Sequence, residues 1–320
     1  MILITGVAGF IGFHLARDLL EKGEDVVGID NLNPYYSVRL KERRLEILSK
    51  YPNFSFIKID FGNWNELYSS LKDIPIDLIV HLGAQAGVRY SLENPWAYIH
   101  SNEYGTLNIF ELAKRKNIER VVYASSSSVY GGNTKIPFSE SDRVDRPISL
   151  YAATKRANEL MAYTYHHLYG IKMIGLRFFT VYGELGRPDM AYFKFARNIM
   201  LGKEIEIYGY GRLKRDFTYI SDIVDGIEKA MNLDTEYEII NLGNNRPIEV
   251  NYFVSLLEKY LGKEVKKKYV EKPKADVEIT YADITKAKKL LGWEPKVKIE
   301  DGLKKFCDWF VNNWEWIKKI

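Results

Sequence analysis

Six short apolar runs punctuate the first half of the chain, and no other feature restricts the fold so much. They read ILIT (2–5), DVVGID (25–30), FSFIKID (54–60), DLIVHL (77–82), RVVYASS (120–126) and KMIGLRF (172–178). Between them lie segments of helical periodicity, such as FIGFHLARDLLEKG (10–23) and YIHSNEYGTLNIFELAKRKN (98–117). Continuous β-branched runs suit strands buried on both faces, and strands that alternate with helices pair in parallel. The expectation is an α/β fold, a doubly wound parallel sheet covered by helices on both sides. The rhythm changes after residue 178: a helix (190–201), a strand (204–209), a helix (221–232), a strand (237–243) and two helices near 250–261 and 301–318 follow. This reads as a smaller α/β domain over residues 179–320, closing over the carboxyl ends of the strands of residues 1–178. EIINLG is apolar enough to rejoin the first sheet, so returns to it are expected near 216–243.

The first strand runs into TGVAGFIG, where Gly6, Gly9 and Gly12 are spaced G-x-x-G-x-x-G. The first glycine permits a tight turn, the second lets the backbone approach a pyrophosphate, and the third lets helix and strand pack closely. The motif follows a strand, opens an amphipathic helix and is answered by Asp30 at the end of the next strand. That context marks a dinucleotide site and makes the sheet Rossmann-type. Asp30 can accept the ribose hydroxyls and would repel a 2′-phosphate; the residue after it is Asn31, not arginine, so NAD is expected over NADP. Asp60, closing the third run, suits either the adenine edge or a helix N-cap.

Two further groups carry chemistry. Tyr151 and Lys155 in YAATK are four apart, on one face of a helix. A nearby ammonium favours the phenolate and lowers the tyrosine pKa. ASSSSVYG (124–131) places four serines at a strand's carboxyl end, where packing alone would rarely choose them and where their hydroxyls can meet a substrate oxygen.

Composition excludes several classes. Charged residues are 28% and of mixed sign, hydrophobic residues 46%, and the net charge of +4 is small for 320 residues. The densest basic stretch, KEVKKKYVEKPK (263–274), reads as a solvated face, not a nucleic-acid surface. One cysteine, Cys307, allows no intrachain disulfide and no Cys-based zinc site, and the five histidines lack metal spacing. MILITG has no features of a signal peptide, and no apolar run reaches the roughly 18 residues needed to span a membrane. A cytoplasmic setting is expected.

The motifs TGVAGFIG, DNLNPYY, HLGAQAGVRYS, SSSSVYG, YAATK, LRFFTVYG, GRPDMAYFKF and RDFTYISDI together resemble the extended short-chain dehydrogenase/reductases, in particular the nucleotide-sugar epimerases that act on UDP-glucuronate. The resemblance spans nearly the whole chain, and AGVRYS and GRPDMA are its most specific parts. It implies Tyr151 as general base, Lys155 as its electrostatic partner and nicotinamide-ribose ligand, and Ser126 as the hydroxyl that shares the 4-OH proton. Gly6, Gly9, Phe10, Ile11, Gly12, Asp30, Asn31 and Asp60 would hold NAD from one side. Leu82, Gly83 and Gln85 would form the loop under it, and Asn102 and Phe178 would line the nicotinamide pocket. Ser127, Ser128 and Thr180 would meet the sugar, Tyr208 would stack on uracil, Arg215 would bind the diphosphate, and Asp276 would be a further substrate-binding residue. Arg187, in GRPDMA, would receive the carboxylate of a UDP-hexuronate, with Arg89 as second choice. A homodimer through helices 98–116 and 150–169 is implied as well.

The chain departs from the family in two places. Glu184-Leu185 stands where other members usually carry Pro-Trp. Pro273 stands where galactose epimerases carry an arginine. Related dehydratases carry an Asp-Glu pair after the catalytic hydroxyl residue, and decarboxylases a glutamate at the position of Ser128; this chain has Ser127 and Ser128 there. The expectation is therefore redox epimerisation through a 4-keto sugar. The alternatives are epimerisation of a neutral UDP-sugar and a non-catalytic NAD-binding regulator.

Overall fold

The computed structural model describes residues 1–272 and 278–320. The strands are β1 (Ile2–Thr5), β2 (Val26–Asp30), β3 (Phe54–Lys58), β4 (Leu78–His81), β5 (Arg120–Ser126), β6 (Lys172–Phe178), β7 (Thr180–Tyr182), β8 (Ile205–Tyr208), β9 (Lys214–Tyr219), β10 (Tyr237–Leu242), β11 (Pro247–Glu249) and β12 (Lys267–Val270). The longer helices are α1 (Phe10–Glu21), α2 (Val38–Leu48), α3 (Trp64–Leu71), α4 (Gly105–Arg115), α5 (Leu150–Tyr169), α6 (Ala191–Met200), α7 (Ile220–Met231), α8 (Val250–Leu261) and α9 (Ile299–Asn312).

Seven strands form one parallel sheet in the order β10-β6-β5-β4-β1-β2-β3. β10 is the EIINL run, which rejoins the sheet beside β6. The period of two along each strand divides its side chains between two helical layers. Leu3, Val27, Val121 and Met173 meet Phe110 of α4 and Tyr165 of α5. Ile2, Ile4, Val26, Val122 and Ile174 meet Phe13 of α1 and Ile223 of α7. This two-sided burial is why the strands read as unbroken apolar runs. The order in which strands are added reverses between β1 and β4, which pair in parallel, and open α/β sheets take ligands at that switch point, beyond the carboxyl ends. Two small sheets, β11-β9-β7 and β12-β8, complete the fold, and β7 starts one residue beyond β6.

Candidate active site

The glycine turn is shaped by contacts that admit no side chain. Gly6 has φ +68°, and a Cβ there would fall 2.7 Å from Gly83 Cα, so the turn after β1 lies directly on the loop after β4. A Cβ on Gly12 would fall 2.3 Å from the Gly6 carbonyl oxygen, which fixes how closely α1 approaches β1. Helix α1 has no side-chain cap at Gly9 and no acid in its first turn. Its leading N–H groups and positive dipole end therefore suit an anion. Phe10 is buried edge-on against His14, and Ile11 is half-buried. This uncapped helix end and a turn whose glycines admit no side chain fit a dinucleotide pyrophosphate.

At the end of β2, the Asp30 carboxylate accepts Leu32 N–H at Oδ1 (2.8 Å). Lys41 of α2 also lies 3.6 Å from Oδ1, buried like its partner. A cation does sit beside Asp30, brought by the helix eleven residues on, which the sequence neighbour Asn31 did not reveal. Asp60 is not a helix N-cap: Asn63 holds that place for α3. Asp60 instead accepts Gly62 N–H (2.8 Å) and contacts Asn31 Nδ2 (3.3 Å) and His100 Nε2 (3.1 Å).

Below Gly83 lies a buried network. Thr5 Oγ1 accepts Gly83 N–H at 2.9 Å and shares a hydrogen bond with His81 Nδ1 at 2.7 Å, and His81 Nε2 shares one with Thr106 Oγ1 at 3.1 Å. Burial pushes His81 down to about 3, which keeps it neutral. The next loop residues are held by Asn102, whose side chain is wholly buried. Its Oδ1 accepts Gln85 N–H (2.8 Å), and its Nδ2 donates to Gln85 O (3.0 Å) and Thr154 Oγ1 (3.0 Å). Asn102 occupies a π-helical turn, Ile99–Tyr104, that leads into α4. Such widened turns recur at functional sites.

Ser126 and Phe178 are register partners at the carboxyl ends of β5 and β6. The Ser126 hydroxyl accepts Ser128 N–H (3.2 Å), where the chain enters a 3₁₀ turn with Ser127 and Ser128 half-buried. Helix α5 begins with Ser149 capping Ala152 N–H (3.1 Å), which puts Tyr151 in the first turn. Burial raises the Tyr151 pKa, and a hydrogen bond with Ser126 and the positive field of Arg187 oppose that rise. The depression expected from Lys155 is not seen. Tyr151 and Lys155 share a helix face, but the Lys155 ammonium reaches to Ala124 O on β5 (2.9 Å). Burial lowers Lys155 to about 8, against the attraction of Glu159 one turn on. Glu159 is itself buried and held by Arg177 (2.8 and 2.9 Å), Arg156 (2.8 Å) and Ser125 (2.6 Å), which fastens α5 to β5 and β6.

Three loops converge near this tyrosine. Tyr35 of DNLNPYY lies 4.7 Å from the Tyr90 ring of AGVRYS, and its hydroxyl donates to Asp189 of GRPDMA (3.2 Å). Arg187 lies over the same Tyr35 ring (5.9 Å) and pairs with Asp189 through Nε (3.1 Å) and Nη2 (2.5 Å). Asp189 thus takes one edge of the fork; the end-on edge, Nη1 with Nη2, is the one a second carboxylate would use. Arg89 stacks on Tyr208 (4.7 Å). Arg215 donates to the carbonyls of Lys214 (2.9 Å) and Glu278 (3.3 Å). Thr180 opens β7 opposite Phe217. Asp276 lies outside the described residues.

The chain matches the family described as GDP-mannose 4,6 dehydratase over residues 3–306. An uncharacterised Methanocaldococcus jannaschii protein is 68% identical, over 100% of this chain and 98% of its own. A Thermodesulfobacterium geofontis UDP-glucuronate 4-epimerase is 50% identical, over 99% of this chain and 98% of its own. The chain belongs to the extended short-chain dehydrogenase/reductases, in their nucleotide-sugar epimerase group. Among solved epimerases of this group, the Bacillus cereus UDP-glucuronic acid 4-epimerase, in complex with UDP-glucuronic acid and NAD, superposes with a TM-score of 0.90 at 34% identity, covering 97% of this chain and 99% of its own. The dehydratase label of the wider family does not extend to the acid pair after Ser126, since Ser127 and Ser128 stand there.

Two residues of α2 escaped the motif reading: Lys41, described above, and Arg44, whose side chain has no accessible surface. The signal was present in the sequence. Leu40, Arg44 and Leu48 are spaced i, i+4, i+8, so the arginine interrupts an apolar helix stripe.

Proposed function

We propose that the chain is an NAD-dependent epimerase that interconverts UDP-glucuronate and UDP-galacturonate through a 4-keto intermediate. One observation carries the choice of an acidic sugar: a run of ring contacts joins Arg187 to Tyr151, with Arg187 over Tyr35 (5.9 Å), Tyr35 beside Tyr90 (4.7 Å), Tyr90 beside Tyr98 (6.3 Å) and Tyr98 beside Tyr151 (6.0 Å). In a hexuronate the carboxylate is borne by C5, next to the C4 hydroxyl. A residue that reads the acid must therefore neighbour the base that takes the C4 proton.

In this reading residues 1–178 hold the cofactor and 179–320 the UDP-sugar. Tyr151 takes the 4-OH proton, and Ser126 shares it. Lys155 binds the nicotinamide ribose, while the uncapped end of α1 and the Asp30 carboxylate hold the pyrophosphate and adenosine ribose. When bound, NAD supplies the hydride acceptor and returns the hydride to the opposite face, so it is regenerated at each turnover. Tyr208 and Arg215 anchor uracil and diphosphate while the sugar turns. Arg187 holds the carboxylate, which in the β-keto acid intermediate would otherwise be lost as CO₂.

Exposed Leu160, Tyr163 and Leu168 on α5 and exposed Tyr104 and Leu107 beside them form an apolar face that supports a homodimer; a monomeric mass in sedimentation would count against it. The single, buried Cys307 supports a cytoplasmic setting. Among the described residues, no helix is long and apolar enough to cross a membrane.

The deciding experiment follows UDP-glucuronate by NMR with the parent and Arg187→Met. The parent forms UDP-galacturonate. The variant loses about 2–5 kcal/mol of transition-state binding on the acid, the cost of removing one partner of a buried charge pair, and releases some UDP-pentose. No UDP-galacturonate from the parent, or equal losses on UDP-glucuronate and UDP-glucose, overturns the reading.

A further inference from the structure

The turn that carries Arg187 is fastened from behind by helices of the cofactor-side sheet. Three successive carbonyls are engaged. Glu184 O accepts from His14 Nε2 of α1 (2.9 Å). Leu185 O accepts from Arg44 Nε (3.1 Å) and Nη2 (2.6 Å), and Gly186 O from Nη2 (3.2 Å). The remaining nitrogen, Nη1, donates to Ala8 O in the glycine turn (2.7 Å) and to the Tyr36 hydroxyl (2.7 Å). One guanidinium thus joins the turn that suits a pyrophosphate to the turn that ends in Arg187.

The backbone it holds is unusual. Leu185 takes the left-handed conformation at φ +50°, which a branched side chain rarely adopts. Gly186 follows, and a Cβ there would fall 1.7 Å from the Tyr192 hydroxyl. Such geometry persists only where its surroundings over-determine it. Arg44 is fully buried, and among the described residues no carboxylate lies within ion-pair distance of it. A buried cation without a counter-charge is costly, and an apolar residue would fill the α2 stripe at less expense. The five bonds of its fork account for an arginine at this position: no other side chain can reach both turns with that many fixed donors.

We propose that Arg44 is a positioning residue for acid recognition. It sets the Glu184–Gly186 turn against the glycine turn, and so places the Arg187 guanidinium at the sugar's carboxylate without touching substrate. This rests on the assignment of Arg187 made above. Selectivity for the acid then depends on a helix of the cofactor half, and the geometry of the carboxylate reader is tied to that of the dinucleotide turn.

The test is calorimetric binding of UDP-glucuronate and UDP-glucose to NAD-loaded protein, in the parent, Arg44→Lys, Arg187→Met and the double variant, with a thermal melt on each. Arg44→Lys keeps the charge but loses the fork. It should weaken UDP-glucuronate by about ten-fold or more, with less than about three-fold change for UDP-glucose; ten-fold corresponds to about 1.4 kcal/mol. The double variant should bind the acid no more weakly than Arg187→Met, because both changes remove one contact. If Arg44→Lys fails to fold, Gly186→Ala displaces the same turn from its other side and should give the same selective loss. Equal weakening of both ligands, no weakening of either, or full additivity with Arg187→Met overturns the inference while the Arg187 assignment stands. If Arg187→Met leaves acid binding unchanged, that assignment falls and the role of Arg44 falls with it.

Discussion

Acid should loosen this protein through two histidines that are buried neutral. His81 and His14 are both pushed by burial to about 3 from the ordinary value near 6.5. The unfolded chain takes up their protons as pH falls through 6.5, while the folded state refuses them until about 3. Stability present above 6.5 is therefore lost on the way down. At pH 5.0 each unfolded histidine is favoured by RT ln(1 + 10^1.5), about 2 kcal/mol, so the pair costs about 4 kcal/mol. That is a large share of the roughly 5–15 kcal/mol that holds a typical domain folded. The damage is local as well. Protonated, His81 would donate from both ring nitrogens, so the Thr5 and Thr106 hydroxyls would both have to accept from it. The assay is urea unfolding of the parent and of His14→Gln/His81→Gln at pH 7.5 and 5.0. Carboxylates titrate alike in both proteins, so the histidine share is the difference in their pH-induced losses. The parent should lose about 4 kcal/mol more. Equal losses would refute the reasoning.

Tyr151→Phe should lower turnover by about 10²–10⁴-fold, since only the hydroxyl carries the proton, and leave NAD affinity intact; near-normal turnover would remove Tyr151 as base. NAD should bind more tightly than NADP because the Asp30 carboxylate meets the 2′ position. With Lys41 at 3.6 Å, Asp30→Ala should also free a cation for the 2′-phosphate and shift the ratio toward NADP by on the order of a hundred-fold, measured by calorimetry. An unchanged ratio would place the ribose elsewhere.

The main sheet was legible because burial on both faces leaves a one-dimensional trace: an apolar run such as RVVYASS has a single structural use at that length. The glycine turn was legible because Gly12 answers to the Gly6 carbonyl six residues before it, a contact within its own unit. What escaped depends on partners distant in sequence. Lys41 neutralises part of Asp30 only because α2 folds back over the end of β2. Lys155 leaves Tyr151 to its burial because a carbonyl on β5, 31 residues away, takes its ammonium. The short strands β7, β9 and β11 left no periodic signal, as three to six residues are too few to establish one.

The widened turn at Ile99–Tyr104 bears on how this lineage can change its length. A π-helical turn is an α-helix that has absorbed one additional residue. Deleting a single residue there would let the segment relax into an ordinary helix, but everything upstream would rotate by about 100° against α4. Asn102 could not then face Gln85 and Thr154 together while α4 kept its place in the core. Length changes in this stretch are therefore far more tightly barred than substitutions, and a relative that has lost one residue between Pro95 and Gly105 will need another way to tie its cofactor loop to the helix that bears the tyrosine.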